Sequence, residues 1–326
     1  MKLPRRTFLH IAAGATALPL LSRLAWSLDY PTRPVRVIVG FPAGSGPDVI
    51  ARLIGQRIGD RLGQQFFVEN RSGAGSSLAA QDVVAAPADG YTLLLTANAN
   101  AVNASLYPNL PFNFVRDIAA VGMICSAPFL LTVNPAVPAK TFAEFIAYAK
   151  ANPGKLNYGS SGPGSSPHLA AELFDSIAGI RMTHVPYKGV SQYITAQIGG
   201  EIQFSFSNMF TTMPHWKSGR LHLIATGGPK RMEAMPDLPT VAESGVPGFE
   251  AMTWYGYMAP AKTPRAIVDR LQKEIAAIVN LPDVRQTFVS QGNKPLANTP
   301  AEFAKVIKND ADKWGALGKK LGVKLD

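Results

Sequence analysis

Two short runs of this 326-residue chain place glycine, serine and proline directly ahead of a helical pattern. The first is Phe41-Pro42-Ala43-Gly44-Ser45-Gly46-Pro47-Asp48; the second is Gly159-Ser160-Ser161-Gly162-Pro163-Gly164-Ser165-Ser166, followed by Pro167-His168. Each follows a strand-like segment, Val35 to Val39 in one case and Leu156 to Tyr158 in the other. Pro47 fits the first helical turn, with Ser45 or Gly46 as its cap. Glycine lets backbone approach a ligand closely, and the first turn of a helix leaves N–H groups without intrahelical acceptors at the positive end of the macrodipole. Such a turn binds carboxylate or phosphate without an arginine. One such turn is also what a tight strand-to-helix connection looks like. Two of them, about 120 residues apart, predict one per lobe and a cleft that grips an anion from both sides.

Proline has no N–H, so Pro47 and Pro167 each remove one donor. Asp48 favours the helix dipole but would repel an anion if turned inward, so it is expected to cap or brace its loop. His168 at the second helix start fits either a bond to its own loop or contact with a ligand. Lys188, within Tyr187-Lys188-Gly189, fits either a positive charge near the cleft or a solvated turn.

The spacings that enzymes need are missing. Gly44-Ser45-Gly46 continues to Val49 where a dinucleotide fingerprint wants its third glycine, and no phosphate-binding loop with a Gly-Lys-Ser/Thr ending occurs. Gly189-Val190-Ser191-Gln192 ends in Tyr193, so there is no nucleophile elbow. The five histidines, His10, His168, His184, His215 and His222, are dispersed, and no metal-ligand spacing or catalytic residue set emerges. The single cysteine, Cys125, cannot form an intrachain disulfide, and its apolar neighbours predict burial.

Composition bounds the rest. The chain is 47% apolar and 17% charged, with mean hydropathy +0.06, which excludes disorder and a membrane bundle. Formal charge is +10. Lys2, Arg5, Arg6 and Arg23 lie in residues 1–27, where there is no acid, so the remainder is only mildly basic. Its Lys and Arg are scattered, which lacks the nucleic-acid signature and suits a small anion. Residues 1–27 read as a signal peptide, with a basic head, an apolar run from Leu9 to Leu21, and a small-residue exit near Ser27. Arg5-Arg6-Thr7-Phe8-Leu9 resembles a twin-arginine signal, and the apolar run is too short to remain as an anchor. Cleavage near Ser27 would release the protein into the periplasm.

Beyond Pro34, strand-like and helical segments alternate, which predicts an α/β protein with parallel sheets. Strand candidates are Val35 to Val39, Phe66 to Glu69, Tyr91 to Thr96, Ile118 to Ile124, Phe129 to Val133, Met182 to Val185, Ile202 to Phe206 and Leu221 to Ala225. Ile50, Leu53, Ile54, Ile58 and Leu62 share one helical face. Thr141 to Glu144 has capping-box spacing and opens a helix to Ala151. Three helices, near 264–280, 283–291 and 300–318, close the chain. The length predicts two lobes, and the absence of a linker predicts that the chain crosses between them more than once.

With these residues in view, the chain is similar to the solute receptors of tripartite tricarboxylate transporters, the Bug family. The similarity rests on Tyr30-Pro31 with Arg36, the Phe41 to Asp48 loop, Val68 to Gly75, Ala88 to Leu94, Asn103 to Pro108, Ala149 to Tyr158, His168 to Ala170, His184 to Gly189, Leu238 to Gly245 and Pro247 to Glu250. It implies a two-lobed periplasmic-binding-protein fold of type 2 with the ligand cleft between the lobes. Lobe 1 would comprise 28–126 plus 256–326 and lobe 2 127–255, with hinges at 121–133 and 252–259. It further implies a receptor, not an enzyme, that needs no cofactor or metal. Acting as a monomer, it would pass a small mono- or dicarboxylate to membrane permease subunits. A periplasmic sensor serving a signalling kinase is the alternative, and a hydrolase or isomerase on this fold is a third. The ligand-binding residues implied are Phe41, Ala43, Gly44, Ser45, Gly46, Asp48, Ser160, Gly164, Ser165, Ser166, His168, Tyr187, Lys188, Ser207 and Asn208. The chain departs from the family pattern at Ser45, Pro47, Pro163, Pro167 and Ser207. The last stands where an aspartate is frequent, so a less polar distal end of the ligand is expected.

Overall fold

The computed structural model describes residues 29–106 and 110–321; the signal-peptide reading of 1–27 lies outside them. The chain builds two sheets. Strands β1 (Val35–Val39), β2 (Phe66–Asn70), β3 (Thr92–Ala97), β4 (Ile118–Pro128), β10 (Met252–Pro260) and β11 (Lys294–Pro295) form the first, in the order β11-β4-β10-β3-β1-β2. Strands β5 (Leu130–Val133), β6 (Asn157–Ser160), β7 (Thr183–Pro186), β8 (Phe204–Ser207) and β9 (His222–Thr226) form the second, in the order β7-β6-β8-β5-β9.

Period-2 alternation buries both faces of the first sheet. Val35, Val37, Val39, Leu93 and Leu95 point to one core, whereas Ile38 and Leu94 point to another. The first face is covered by helix α1 (Gly46–Leu62) through Ile50, Ile54 and Ile58, and by α8 (Arg265–Val279) through Leu271, Ile275 and Ile278. The second face carries α2 (Ser77–Ala85), α3 (Asn98–Leu106) and α10 (Pro300–Leu321). The second sheet is flanked by α4 (Phe142–Ala151), α5 (Ser166–Ala178), α6 (Val190–Ile198) and α7 (Met209–Lys217), and α9 (Pro282–Ser290) lies in the first lobe beside β11. The expected capping box is formed, because Thr141 Oγ1 accepts the Glu144 N–H at 3.2 Å and Glu144 Oε2 accepts the Thr141 N–H at 3.1 Å.

The chain leaves the first sheet at Phe129 and returns after Ala251. These crossings bond to each other through Gly227: Phe129 N–H donates to Ala251 O (3.0 Å), Gly227 N–H to Phe129 O (2.7 Å) and Ala251 N–H to Gly227 O (2.9 Å). A Cβ on Gly227 would lie 2.9 Å from Ala251 O, so a larger residue would push the crossings apart. The expected boundaries at 126/127 and 255/256 fall inside β4 and β10, whose residues Met252 to Tyr255 pair with Pro128 to Cys125. The sheets are mixed rather than parallel. Strand β10 returns between β3 and β4 antiparallel to both, and β5 enters the second sheet antiparallel to β8 and β9. A strand crossing from one sheet into the next has its direction set by the crossing, which the hydropathy pattern does not record.

The second lobe centres on Phe174, whose ring lies 5.7 Å from both Phe204 and Phe249, 5.9 Å from Phe206 and 6.0 Å from Phe142. Phe174→Ala therefore removes the shared member of an aromatic core and should cost about 3–5 kcal/mol of unfolding free energy. A urea titration with an unchanged midpoint would contradict that role.

Candidate functional site

The two glycine–serine loops fold alike, position for position. Gly44 (φ 77°) and Gly164 (φ 69°) turn the chain in the left-handed region, which favours glycine. Ser45 and Ser165 follow as extended cap residues ahead of α1 and α5. Ser45 Oγ donates to Pro42 O at 2.6 Å and Ser165 Oγ to Gly162 O at 2.7 Å. The amides of the same two serines donate to the same two carbonyls, each at 3.2 Å. The Gly44 N–H donates to Asp48 Oδ2 at 2.8 Å, and the Gly164 N–H to His168 Nδ1 at 3.0 Å. A side chain four residues on thus pins the glycine amide in each loop. The amides of Gly46, Asp48, Ser166 and His168 belong to first turns, which offer no intrahelical acceptor. Pro47 and Pro167 contribute none.

The brace in the first loop is ionic. Asp48 is 2% exposed, and its carboxylate also accepts Arg52 Nε at 3.0 Å and Asn70 Nδ2 at 2.9 Å. Asn70 Nδ2 reaches Phe41 O at 3.0 Å as well, tying β2 to the loop. Burial pushes the Asp48 carboxyl up, but the hydrogen bonds from Arg52, Gly44 and Asn70 outweigh it and hold the group below the usual range. The expectation that Asp48 braces its loop describes its contacts.

The brace in the second loop is neutral and aromatic. His168, 6% exposed, stacks on His184 with ring centroids 4.0 Å apart, and Tyr158 stacks on His184 at 5.0 Å. Burial pushes His168 down to about 4; burial and the neighbouring His168 do the same to His184. Because Nδ1 of His168 accepts from Gly164, its proton sits on Nε2, which faces Glu172 Oε1 at 3.8 Å. Tyr158 OH donates to the same Glu172 oxygen. His184 Nε2 lies 2.7 Å from Ser160 Oγ, a serine–histidine contact that sequence spacing missed. Ser160 is fully buried, and its hydroxyl oxygen also accepts the Gly162 N–H at 3.1 Å, so the contact supports the loop from below.

Asn98 joins the two lobes. It is 1% exposed and opens α3. Its Oδ1 accepts Ser166 Oγ and Thr253 Oγ1, each at 3.0 Å, and its Nδ2 donates to Met252 O at 3.0 Å. One amide, on the residue that follows β3, therefore reaches both the returning strand β10 and the second loop. Val102, Leu169 and Trp314 extend this contact with an apolar cluster between α3, α5 and α10. Asn103 Nδ2 donates to Gly75 O at 2.9 Å and Asn100 Nδ2 to Ser76 O at 3.2 Å. They hold Ala74 (φ 45°) and Ser76 (φ 76°) in the left-handed region beside the first loop. The available signal for these residues was the run Asn98-Ala99-Asn100-Ala101-Val102-Asn103, polar amides recurring directly after an apolar strand.

The other expected site residues make bonds within the second lobe. Tyr187 OH reaches Glu201 Oε2 at 3.5 Å, although the Tyr187 amide donates to Ser160 O at 3.0 Å. Lys188 is exposed in the turn before α6, where its amide donates to Gln192. Ser207 is fully buried, its hydroxyl 3.3 Å from Tyr193 OH, and Asn208 caps α7 by accepting the Thr211 N–H at 3.0 Å.

The family profile described as tripartite tricarboxylate transporter family receptor matches residues 50–323. BugT of Bordetella pertussis is 34% identical over 320 residues, covering 97% of this chain and 96% of its own. R. palustris Rpa4515, solved with adipate, superposes with TM-score 0.85 at 32% identity, covering 90% of this chain and 99% of that one. The periplasmic binding protein BugD superposes with TM-score 0.82 at 30% identity, with the same two coverages.

Burial of His168 sets a pH dependence. Its folded value, about 4, lies below the ordinary 6.5, so the unfolded chain takes the proton first. Folding stability is lost as pH falls from 6.5 to 4. Asp175, raised to about 7 by burial, acts in the opposite direction as pH rises; it is common to wild type and variant, so their difference reads the stacked pair His168 and His184. The destabilisation caused by His168→Asn should shrink by about 3 kcal/mol between pH 7 and pH 4. A difference that stays constant across that window in chemical denaturation would contradict a buried neutral imidazole.

Proposed function

The chain belongs to the tripartite tricarboxylate transporter receptor family, and on that premise we propose that it captures a small organic carboxylate between its two lobes. The observation that carries this reading is the matched pair of loops, one per lobe, each ending in a helix N-terminus whose glycine amide is already pinned by Asp48 or His168. A carboxylate placed between α1 and α5 accepts from the amides of Gly46 and Asp48 on one side and of Ser166 and His168 on the other. Phe41, Ala43, Gly44, Ser45, Ser160, Gly164 and Ser165 shape the loops, and water fills the remaining donor positions. Tyr187, Lys188, Ser207 and Asn208 complete the proposed ligand-binding set on the second lobe. Adipate, bound in the R. palustris relative, is the first probe, and the ligand class is mono- or dicarboxylate.

Loading on this route ends at membrane permease subunits, to which the closed protein docks as a monomer. Among the described residues no helix is long and apolar enough to cross a membrane. Residues 1–27 act as the export signal and are removed near Ser27. Periplasmic protein should begin close to Leu28 by mass spectrometry, and joint replacement of Arg5 and Arg6 by lysine should block export. A functional cytosolic form retaining Met1 would contradict this.

Gly46→Asp tests the site itself. A Cβ at Gly46 meets nothing within 4 Å, and an acid in the first helical turn favours the dipole, so the variant should fold. Its carboxylate would occupy the donor end and repel the ligand. Calorimetry with adipate, or with whichever carboxylate a thermal-shift screen returns, should show a loss of tenfold or more, about 1.4 kcal/mol. Full-strength binding would mean that the ligand lies elsewhere.

A further inference from the structure

The two crossings divide the molecule into sides. In the first sheet, β1, which leads into the Phe41–Asp48 loop, and β11 lie on opposite sides of β4 and β10. In the second sheet, β6, which leads into the Ser160–His168 loop, and β9 lie on opposite sides of β5. The loops therefore share one side of the crossings, and the β9 and β11 edges share the other. On that far side runs a groove of about 1230 Å³ with walls from different lobes. Met213, Trp216 and Lys217 of α7 stand on one wall; Gln286, Val289 and Ser290 of α9 stand on the other. Its inner end is closed where Met209 of the second lobe meets Gly292 of the first, so tightly that a Cβ on Gly292 would lie 2.3 Å from Met209 Sδ.

The lobes are tied through Phe129, Gly227 and Ala251, between the loops and the groove. A rigid rotation about this tie that narrows the loop side must widen the far side. We infer that the groove is a counter-cleft: contacts across it favour the open protein, and bulk inserted into it drives the lobes closed and tightens ligand binding without touching either loop. Methionine suits such a surface, because its unbranched thioether repacks at more than one groove width. The affinity follows from populations, since the apparent dissociation constant is the intrinsic one divided by the fraction of closing-competent protein. The residues lining the groove act on the ligand through the lobes, as positioning residues.

The inference rests on the interlobe-binding reading for its affinity arm, while its shape arm needs no ligand. Ser290→Trp and Lys217→Trp place a wedge on opposite walls. Small-angle scattering of each ligand-free variant should give a smaller radius of gyration than ligand-free wild type. Adipate should bind each at least threefold more tightly by calorimetry. Far-UV circular dichroism identifies the folded variants, and the use of two walls keeps a decision available if one side chain is not tolerated. An unchanged or larger radius in a folded wedge variant overturns the counter-cleft. If wild type binds neither adipate nor any carboxylate tried, the carboxylate reading fails, and the scattering comparison alone decides the groove. Weaker carboxylate binding in both folded variants also overturns it, because simple damage and a hinge that swings the other way both predict loss.

Discussion

A carboxylate held by backbone amides is held well only when those amides point the right way before it arrives, since ordering them afterwards would consume much of the binding energy. In this protein that requirement is met at Gly44 and Gly164. Each turns through the left-handed region, and each aims its N–H back at a side chain one helical turn onward. Pinning this amide sets the cap serine and presents the next first-turn amides outward at the positive end of the helix. The surrounding structure supports that pin. Arg52 and Asn70 hold Asp48, while His184, Tyr158 and Glu172 enclose His168.

The two lobes meet the same acceptor requirement with different chemistry. Asp48 brings a full negative charge close to a site proposed to take anions, and Arg52 neutralises it within hydrogen-bonding distance. His168 brings a lone pair without a charge, and burial in an aromatic stack keeps it neutral. The second solution makes that loop sensitive to mild acid, between pH 6.5 and about 4, whereas the first, held below the usual carboxylate range, gives way only in stronger acid. Asn98 then links the halves, since its single amide oxygen is shared by the returning strand and the second loop. A change of lobe angle has to pass through this residue as well as through the backbone tie at Gly227.

Both loops were readable in the sequence because glycine, serine and proline in that order, ahead of an amphipathic run, leave few other conformations open. The elements around them were readable for the same local reasons; the capping box at Thr141 and the three closing helices are set by contacts within a few residues. What joins distant segments was not. Asn98 and Thr253 lie 155 residues apart in sequence, and no periodicity marks one as the partner of the other. The serine–histidine contact beneath the second loop escaped for this reason, and the places where the sheets exchange were expected only from the family resemblance, as hinges at 121–133 and 252–259. Hydropathy runs unbroken through β4 and β10, so the change of sheet at Phe129 and Ala251 leaves no mark in composition. Strand direction is equally silent, which is why parallel sheets were expected where mixed ones occur.

The central claim is that the glycine amides are internal fixtures and the first-turn amides are the ligand's donors. Backbone amide resonances of isotope-labelled mature protein, followed by NMR while a bound carboxylate is titrated in, read each of these groups separately. The account predicts the largest downfield movement for Gly46, Asp48, Ser166 and His168, with Gly44 and Gly164 keeping the shifts and slow hydrogen exchange of amides bonded to Asp48 and His168. Large shifts at Gly44 and Gly164, with the first-turn amides unmoved, would contradict it.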